Sequence, residues 1–269
     1  MNNIDWFNTE FVKRYGSVKR ARGCYWYTEK GVRLVDLWQE DGRAILGWGA
    51  CNSKAFEVLK NTISRGQTGS FPTDYSKRFS KAVLQLVNTN CTNEILASNY
   101  QYVSLTTDYS SLKDLPVWRP WLGVSVHDCS NLSAFNMIAL TNASEIVVQI
   151  PFAWTENVYV IASVKKIERD SFPVSGAYLA AATRAIYSLI AEQKKRKEND
   201  FKRFDSSLKK YFSRKGPYLV PCIKEYKDFV LHCLDCGIVI NPNKSNFSIV
   251  PFGANPGDFR KLDKTPFCK

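Results

Sequence analysis

The middle of the chain limits its fold more than any other feature. From residue 92 to 167 it offers only short β-type runs, EILASNYQYVSL, PVWRPWL, AFNMIALTN, EIVVQIPF and NVYVIASV, parted by Asn, Ser, Asp and Pro. None keeps a helical period long enough to cover a parallel sheet on both faces. A βαβ unit takes about thirty residues, so little of a doubly wound cofactor domain fits there.

The flanks read differently. CYWYT and VRLVDLW alternate apolar and polar residues around Glu29-Lys30-Gly31, which predicts a hairpin over 24–38. A glycine-rich loop runs from Gly42 to Gly49. A helix is expected near Ser53–Ser64, with Ala55, Phe56, Leu59 and Ile63 on one face. Another is expected over Asp74–Val87, with Asp74 as N-cap and Phe79, Val83 and Leu86 inward. From Ser175, SGAYLAAATRAIYSLIAEQ is helical, and the period continues through a basic stretch to Tyr211. Tyr226, Phe229, Val230, Cys233 and Leu234 predict a helix over 224–236 that Gly237 ends. GIVINP and NFSIVPF read as short strands, and Pro256–Leu262 as a last helical turn. The class is α+β.

The 269 residues fit one large domain or two modest ones. Sixteen Phe, 13 Tyr and 7 Trp supply apolar area that excludes disorder for most of the chain. No stretch approaches 18 uninterrupted apolar residues, so a transmembrane helix is not expected. The start, MNNIDWFNTE, has no basic region before an apolar one, and the expected location is cytoplasmic.

Thirty-seven Lys and Arg stand against 25 Asp and Glu, a net charge of +12. Ten basic and three acidic residues fall between Lys194 and Lys215. That stretch suits nucleic acid or another anionic surface. It also carries Phe201, Phe204, Leu208, Tyr211 and Phe212 at helical spacing, so its charges equally describe the wet face of an amphipathic helix.

Of eight cysteines, Cys233 and Cys236 form the only CxxC, at a helix C-terminus where the dipole disfavours thiolate. With only His127 and His232, no zinc spacing arises and no metal is expected. There is no G-x-S-x-G, no Walker P-loop and no H-E-x-x-H. His127-Asp128-Cys129 reads as a turn in a polar segment, and His232 as a packed or surface residue. Asp36, Glu40 and Asp41 cluster near the glycine loop, as paired carboxylates or as a turn network with Arg43. In Trp118-Arg119-Pro120-Trp121 two indoles flank a guanidinium, a pattern that either clamps a planar or anionic ligand or fills a core.

RARGCYWYTEKGVRLVDLWQEDGRAILGWG resembles the opening of class III pyridoxal-phosphate aminotransferases, where a strand pair leads into a Gly-rich "LGH" loop. GQTGSFPTDYSKRFSKAVLQL is similar to the family's next segment. SGAYLAAATRAIYSLI resembles the helix entering its small domain, and DFVLHCLDCGIVINPNKSNFSIVPFGANPGDFRKL its ending. These segments cover about two-thirds of the chain, in the family's order.

Members of that family run to roughly 400 residues, as a large domain plus a small one requires. On the resemblance this chain is a shortened member lacking most of the cofactor domain. Residues 1–91 are an aminotransferase-like segment, 92–167 a β-rich insert in place of the large domain, and 168–269 a small domain. The phosphate-binding "SG-T/S-EA" turn is replaced by NTNCTNEILASNYQYVSL. The "DEV-x-x-G-x-GRTG" segment and the lysine in its "(S/T)-K-x-x-x-GG" setting are absent. The substrate arginine of "RLAPPL" aligns with Ser248 and the loop histidine with Trp48. Glu145-Ile146-Val147-Val148-Gln149 is similar to the aspartate strand, and Lys165 or Lys166 follows VYVIAS as the Schiff-base lysine does. Glu145 is therefore the cofactor-binding candidate, and Lys165 and Lys166 are the catalytic ones. Arg43, Trp48, Trp118, Arg119, Trp121 and Ser248 are the candidates for a ligand pocket.

The expected function is that of an aminotransferase-like protein without cofactor or transaminase activity, acting as a binding or interaction protein. The alternatives are a reduced pyridoxal-phosphate aminotransferase and a basic, nucleic-acid-associated protein. A small-molecule ligand and a homodimer are the expected partners, and no membrane. Trp6, Phe7, Trp48 and Phe71 are the apolar residues expected to need cover.

Overall fold

The computed structural model describes residues 3–49, 54–69, 71–89, 100–108, 112, 115–121, 143–154, 158–167 and 171–268. In chain order its elements open with α1 (Asn3–Tyr15), β1 (Val18–Arg22), β2 (Tyr25–Thr28), β3 (Arg33–Asp36), α2 (Ala55–Ser64) and α3 (Tyr75–Thr89). There follow β4 (Tyr102–Thr106), β5 (Val117–Trp118), β6 (Glu145–Val148), β7 (Tyr159–Ser163) and α4 (Gly176–Lys195). The chain continues with α5 (Glu198–Lys202), α6 (Asp205–Leu208), β8 (Phe212–Lys215), β9 (Tyr218–Pro221) and α7 (Tyr226–Asp235). It closes with β10 (Ile238–Val239), β11 (Ser248–Ile249) and α8 (Arg260–Lys264). Helices and sheets are mixed, and they divide into two compact units: 1–52 with 196–269, and 53–195.

In the first unit, β2 and β3 form the expected antiparallel hairpin, with Gly31 at φ 76° in its turn. β1 pairs with β2, and β10 joins β3 in parallel, Ile238 beside Val35 and Val239 beside Asp36. Segments some 200 residues apart in sequence thus share one sheet. A second sheet has the order β11-β9-β8. The strands of GIVINP and NFSIVPF therefore pair with other partners, not with each other.

The helix α1 has its cause in the spacing of Phe7, Phe11 and Tyr15 at i, i+4, whose rings lie 6.0 and 5.6 Å apart. Phe7 packs on Trp38 at 5.8 Å and Phe11 on Trp26 at 5.7 Å. Phe7 is only 1% exposed. It belongs to the core and needs no cover from a partner.

The basic stretch is not one helix. After α4 the chain breaks at Lys197, in extended conformation (φ −119°, ψ 167°), and then forms α5, α6 and β8. Phe201, Phe204, Leu208, Tyr211 and Phe212 are all buried. The i+3, i+4 pattern is met by successive short elements turning their apolar residues inward. In α7 the expected Tyr226, Phe229, Val230, Cys233 and Leu234 are buried, and Gly237 ends the helix at φ 82°.

In the second unit, four of the five β-type runs of the middle segment supply strands that pair in the order β4-β7-β6-β5, and the fifth, AFNMIALTN over 134–142, lies outside the described residues. Only the β5–β6 pair is parallel. α2 and α3 pack on α4, whose buried face holds Ala177, Ala180, Ala181, Ala182 and Ala185. Such small residues let helix axes approach. A Cβ on Gly176 would stand 2.9 Å from the Tyr75 ring. Phe79, Val83 and Leu86 face inward as expected. In α2, Ile63 is 46% exposed and Thr62 takes the buried place.

Candidate functional site

The sequence cluster of Asp36, Glu40, Asp41, Arg43 and Trp48 becomes a buried polar hub in the first unit. Asp36 ends β3 with no solvent exposure. Its Oδ1 accepts the Trp38 and Gln39 N–H groups at 2.8 and 2.9 Å, and its Oδ2 accepts Trp48 Nε1–H at 2.7 Å. Burial raises the carboxyl to about 6, against the opposing pull of the Gln39 N–H, the Trp48 indole and the Trp38 N–H. The Trp48 indole is therefore held by the Asp36 carboxylate.

The same carboxylate caps an unusual turn. Gln39, Glu40 and Asp41 have φ of 48°, 49° and 57°, and Gly42 follows at 96°. Three consecutive non-glycine residues in the left-handed region cost of order 1–3 kcal/mol each and persist only where their surroundings fix them. Gln39 Nε2–H donates to the Asp36 carbonyl at 3.1 Å, and Arg43 pairs with Glu40 at 3.1 Å. Asp41 Oδ1 accepts from the Nδ2 groups of Asn241 and Asn246. The three carboxylates thus form a turn network, Asp36 on Trp48, Glu40 on Arg43 and Asp41 on the two asparagines.

Asn241 extends the hub to Ser248. Its backbone N–H donates to Ser248 Oγ at 3.0 Å, and its carbonyl accepts the Tyr226 hydroxyl at 2.6 Å. Ser248 is fully buried. Beside the hub, Gly23, Cys24, Gln39, Ile45, Gly47, Phe252 and Gly253 line a cavity of about 10 Å³, room for one water. Gln39 Oε1 is buried and accepts no hydrogen bond among the described residues. Asn241 and Gln39 are not among the residues singled out from the sequence, and Tyr226 is there only as a core position of its helix.

The other candidates lie in the second unit. Trp118 is in β5 and 1% exposed, so its indole presents no face to solvent. Arg119 and Trp121 are half-buried, the latter at φ 68°. Glu145 opens β6 opposite Ser163. Lys165 and Lys166 follow β7, both exposed, in a turn closed by the Ser163 hydroxyl, which donates to the Lys165 carbonyl at 2.7 Å. His127, Asp128 and Cys129 lie outside the described residues.

Cys233 and Cys236 are free buried thiols, both raised by burial. His232 Nε2 stands 2.7 Å from the Thr265 carbonyl. Among the described residues, no group of three or more His, Cys, Asp or Glu is placed to hold a metal ion, and no helix is long and apolar enough to cross a membrane.

With this architecture known proteins can be compared. No protein-family model matches the chain. An uncharacterized protein of Treponema pallidum (strain Nichols) is 23% identical over 295 residues, spanning 91% of this chain and 92% of that protein. Among solved structures, ornithine aminotransferase from Plasmodium yoelii superposes with a TM-score of 0.60 at 11% identity, over 98% of this chain and 97% of that one. Acetylornithine aminotransferase from Elizabethkingia anophelis gives 0.59 at 10% identity, over 98% and 99%. An omega-transaminase from Sphaerobacter thermophilus gives 0.62 at 8% identity, over 92% and 89%. The chain has an aminotransferase-like fold. At these identities the likeness concerns the fold alone.

Proposed function

We propose that this protein is a shortened aminotransferase relative that has lost pyridoxal phosphate and transamination and acts as a binding or interaction protein. The observation that carries this reading is the exposure of both Lys165 and Lys166. Pyridoxal chemistry takes a desolvated lysine, a carboxylate on the ring nitrogen and donors around the phosphate, all converging. Glu145 opens β6, at the amino end of the parallel β5–β6 pair, whereas ligands of open α/β sheets bind at the carboxyl ends. Among the described residues, these candidates therefore do not fit the cofactor. The four strands between Tyr102 and Ser163 form a sheet of their own, which supports residues 92–167 as the replacement for a cofactor domain.

A second reading, a reduced pyridoxal-phosphate enzyme, draws on one observation. The pairing of Glu145 with Ser163 sets Glu145 and Lys165 at the same end of the sheet. One experiment separates the two. The protein is incubated with pyridoxal phosphate, treated with borohydride and digested for mass spectrometry. The expected result is no stoichiometric pyridoxyl group on any lysine. A pyridoxyl group fixed to Lys165 or Lys166 would establish the second reading.

A further inference from the structure

The β1–β2–β3 sheet of the first unit has two unlike faces. On one, Trp26 and Leu34 stand opposite each other and are buried, with Phe11 of α1 packed on Trp26 at 5.7 Å. Side chains alternate along a strand, so the residues between these point the other way. There Arg20, Tyr27 and Arg33 lie in one row across the strands, and Arg22 and Tyr25 in the next. Each tyrosine carries a guanidinium. Arg20 Cζ lies over the Tyr27 ring at 4.2 Å from its centroid, and Arg33 Cζ over the Tyr25 ring at 4.5 Å.

Arg20, Arg22 and Arg33 are exposed, and so is Lys19 in the bulge between Val18 and Arg20. The acids beside them are fewer. Asp258 pairs with Arg33 at 2.8 Å and accepts the Tyr25 hydroxyl at 2.7 Å, and Glu29 accepts from the Ser17 N–H and hydroxyl. Four cations against these two carboxylates leave a surplus of two positive charges, to which Lys30 in the adjoining turn adds. Lys19 and Arg20 make no ion pair among the described residues. The whole unit has the same sign, with 23 Lys and Arg against 14 Asp and Glu over 1–52 and 196–269.

A guanidinium held over a ring leaves a second planar side for another π-system and keeps N–H groups for an anion. Tyr25 and Tyr27 repeat this arrangement two residues apart, about 7 Å along the strand, close to the phosphate-to-phosphate step of an extended single strand. An acidic peptide brings charge without a planar ring at each step. A duplex keeps its bases stacked inside. We propose that this face binds single-stranded nucleic acid, its bases stacking on the Arg20–Tyr27 and Arg33–Tyr25 pairs and its phosphates meeting Lys19 and the guanidinium edges. The site lies outside the basic stretch of 194–215 and uses none of the cofactor candidates, so it stands or falls independently of pyridoxal phosphate binding.

The test follows the fluorescence anisotropy of a labelled single-stranded oligothymidylate titrated with the full-length protein. Saturable binding that weakens as salt rises is expected. An abasic strand of the same length keeps the phosphates but loses the stacking, and should bind about ten-fold more weakly. Arg20→Gln should weaken oligothymidylate by about ten-fold, and Arg20→Lys, which keeps the charge, by several-fold. Lys209→Gln removes an equal, exposed charge from the basic stretch and should change binding by less than about two-fold. The exposure of Arg20 lets its variants keep the parent melting temperature. Equal binding of the abasic strand, or equal losses from Arg20→Gln and Lys209→Gln, would overturn the proposal in favour of general attraction between opposite charges. Polyglutamate displacing the probe as effectively as unlabelled oligothymidylate would overturn it in favour of an acidic polypeptide.

Discussion

At the scale of single residues, Asp36 carries the most chemistry. Its carboxyl stands near 6 in the fold against an ordinary 3.8. Between those values the folded chain holds a proton that the unfolded chain has released, so stability falls as pH rises through the window. Two pH units correspond to about 3 kcal/mol. Asn at this position keeps acceptors for the Trp38 and Gln39 N–H groups but turns an amide donor toward the Trp48 indole. Urea unfolding of the parent and Asp36→Asn at pH 4 and pH 7 checks this. The parent should lose about 2–3 kcal/mol relative to the variant across that interval, and a constant difference would remove Asp36 as the titrating group. Ser248 belongs to the same network. Arg in its place would bury a guanidinium with no carboxylate assigned to it, so Ser248→Arg should lower the melting temperature without conferring pyridoxal phosphate binding. The carboxylates near the glycine loop were legible in sequence as a cluster. Their asparagine partners were not, because Asp41 and Asn241 are brought together only by the β3–β10 pairing.

Among elements, the sequence was most readable where one period served one face. The hairpin over 24–38, α3, α7 and the four strands of the middle segment all follow their patterns. The basic stretch misled because residues every three to four positions face inward equally well from a helix or from α5, α6 and β8 in turn. The helix α1 is not among the expected elements, although Phe7, Phe11 and Tyr15 carry its spacing. Its contribution is measurable. Phe11→Ala removes a ring packed on Phe7, Tyr15 and Trp26 and should cost about 3–5 kcal/mol in chemical denaturation. A loss below 1 kcal/mol would mean that α1 is only loosely attached to its unit.

For the whole molecule, the charge surplus is uneven: residues 53–195 hold 14 Lys and Arg against 11 Asp and Glu, so most of the +12 lies in the other unit. Self-association is proposed from the exposed Phe71 and the half-buried Trp6 and Trp48, with Phe7 removed from that set. Light scattering at micromolar concentration should give about twice the 30.7 kDa chain mass, and a monomer would count against it. The parallel pairing of β3 with β10 also sets an order of events during synthesis. Residues 1–52 leave the ribosome first, yet their sheet lacks β10 until residue 239 has emerged. At roughly 5–20 residues per second, the intervening 53–195 occupy about 7–30 s. For that interval Phe7, Phe11, Trp26 and Trp38 have no completed core to enter, whereas the unit 53–195 is complete as soon as its own residues have emerged. Topology alone thus keeps these aromatic side chains without their full core until the late strand arrives.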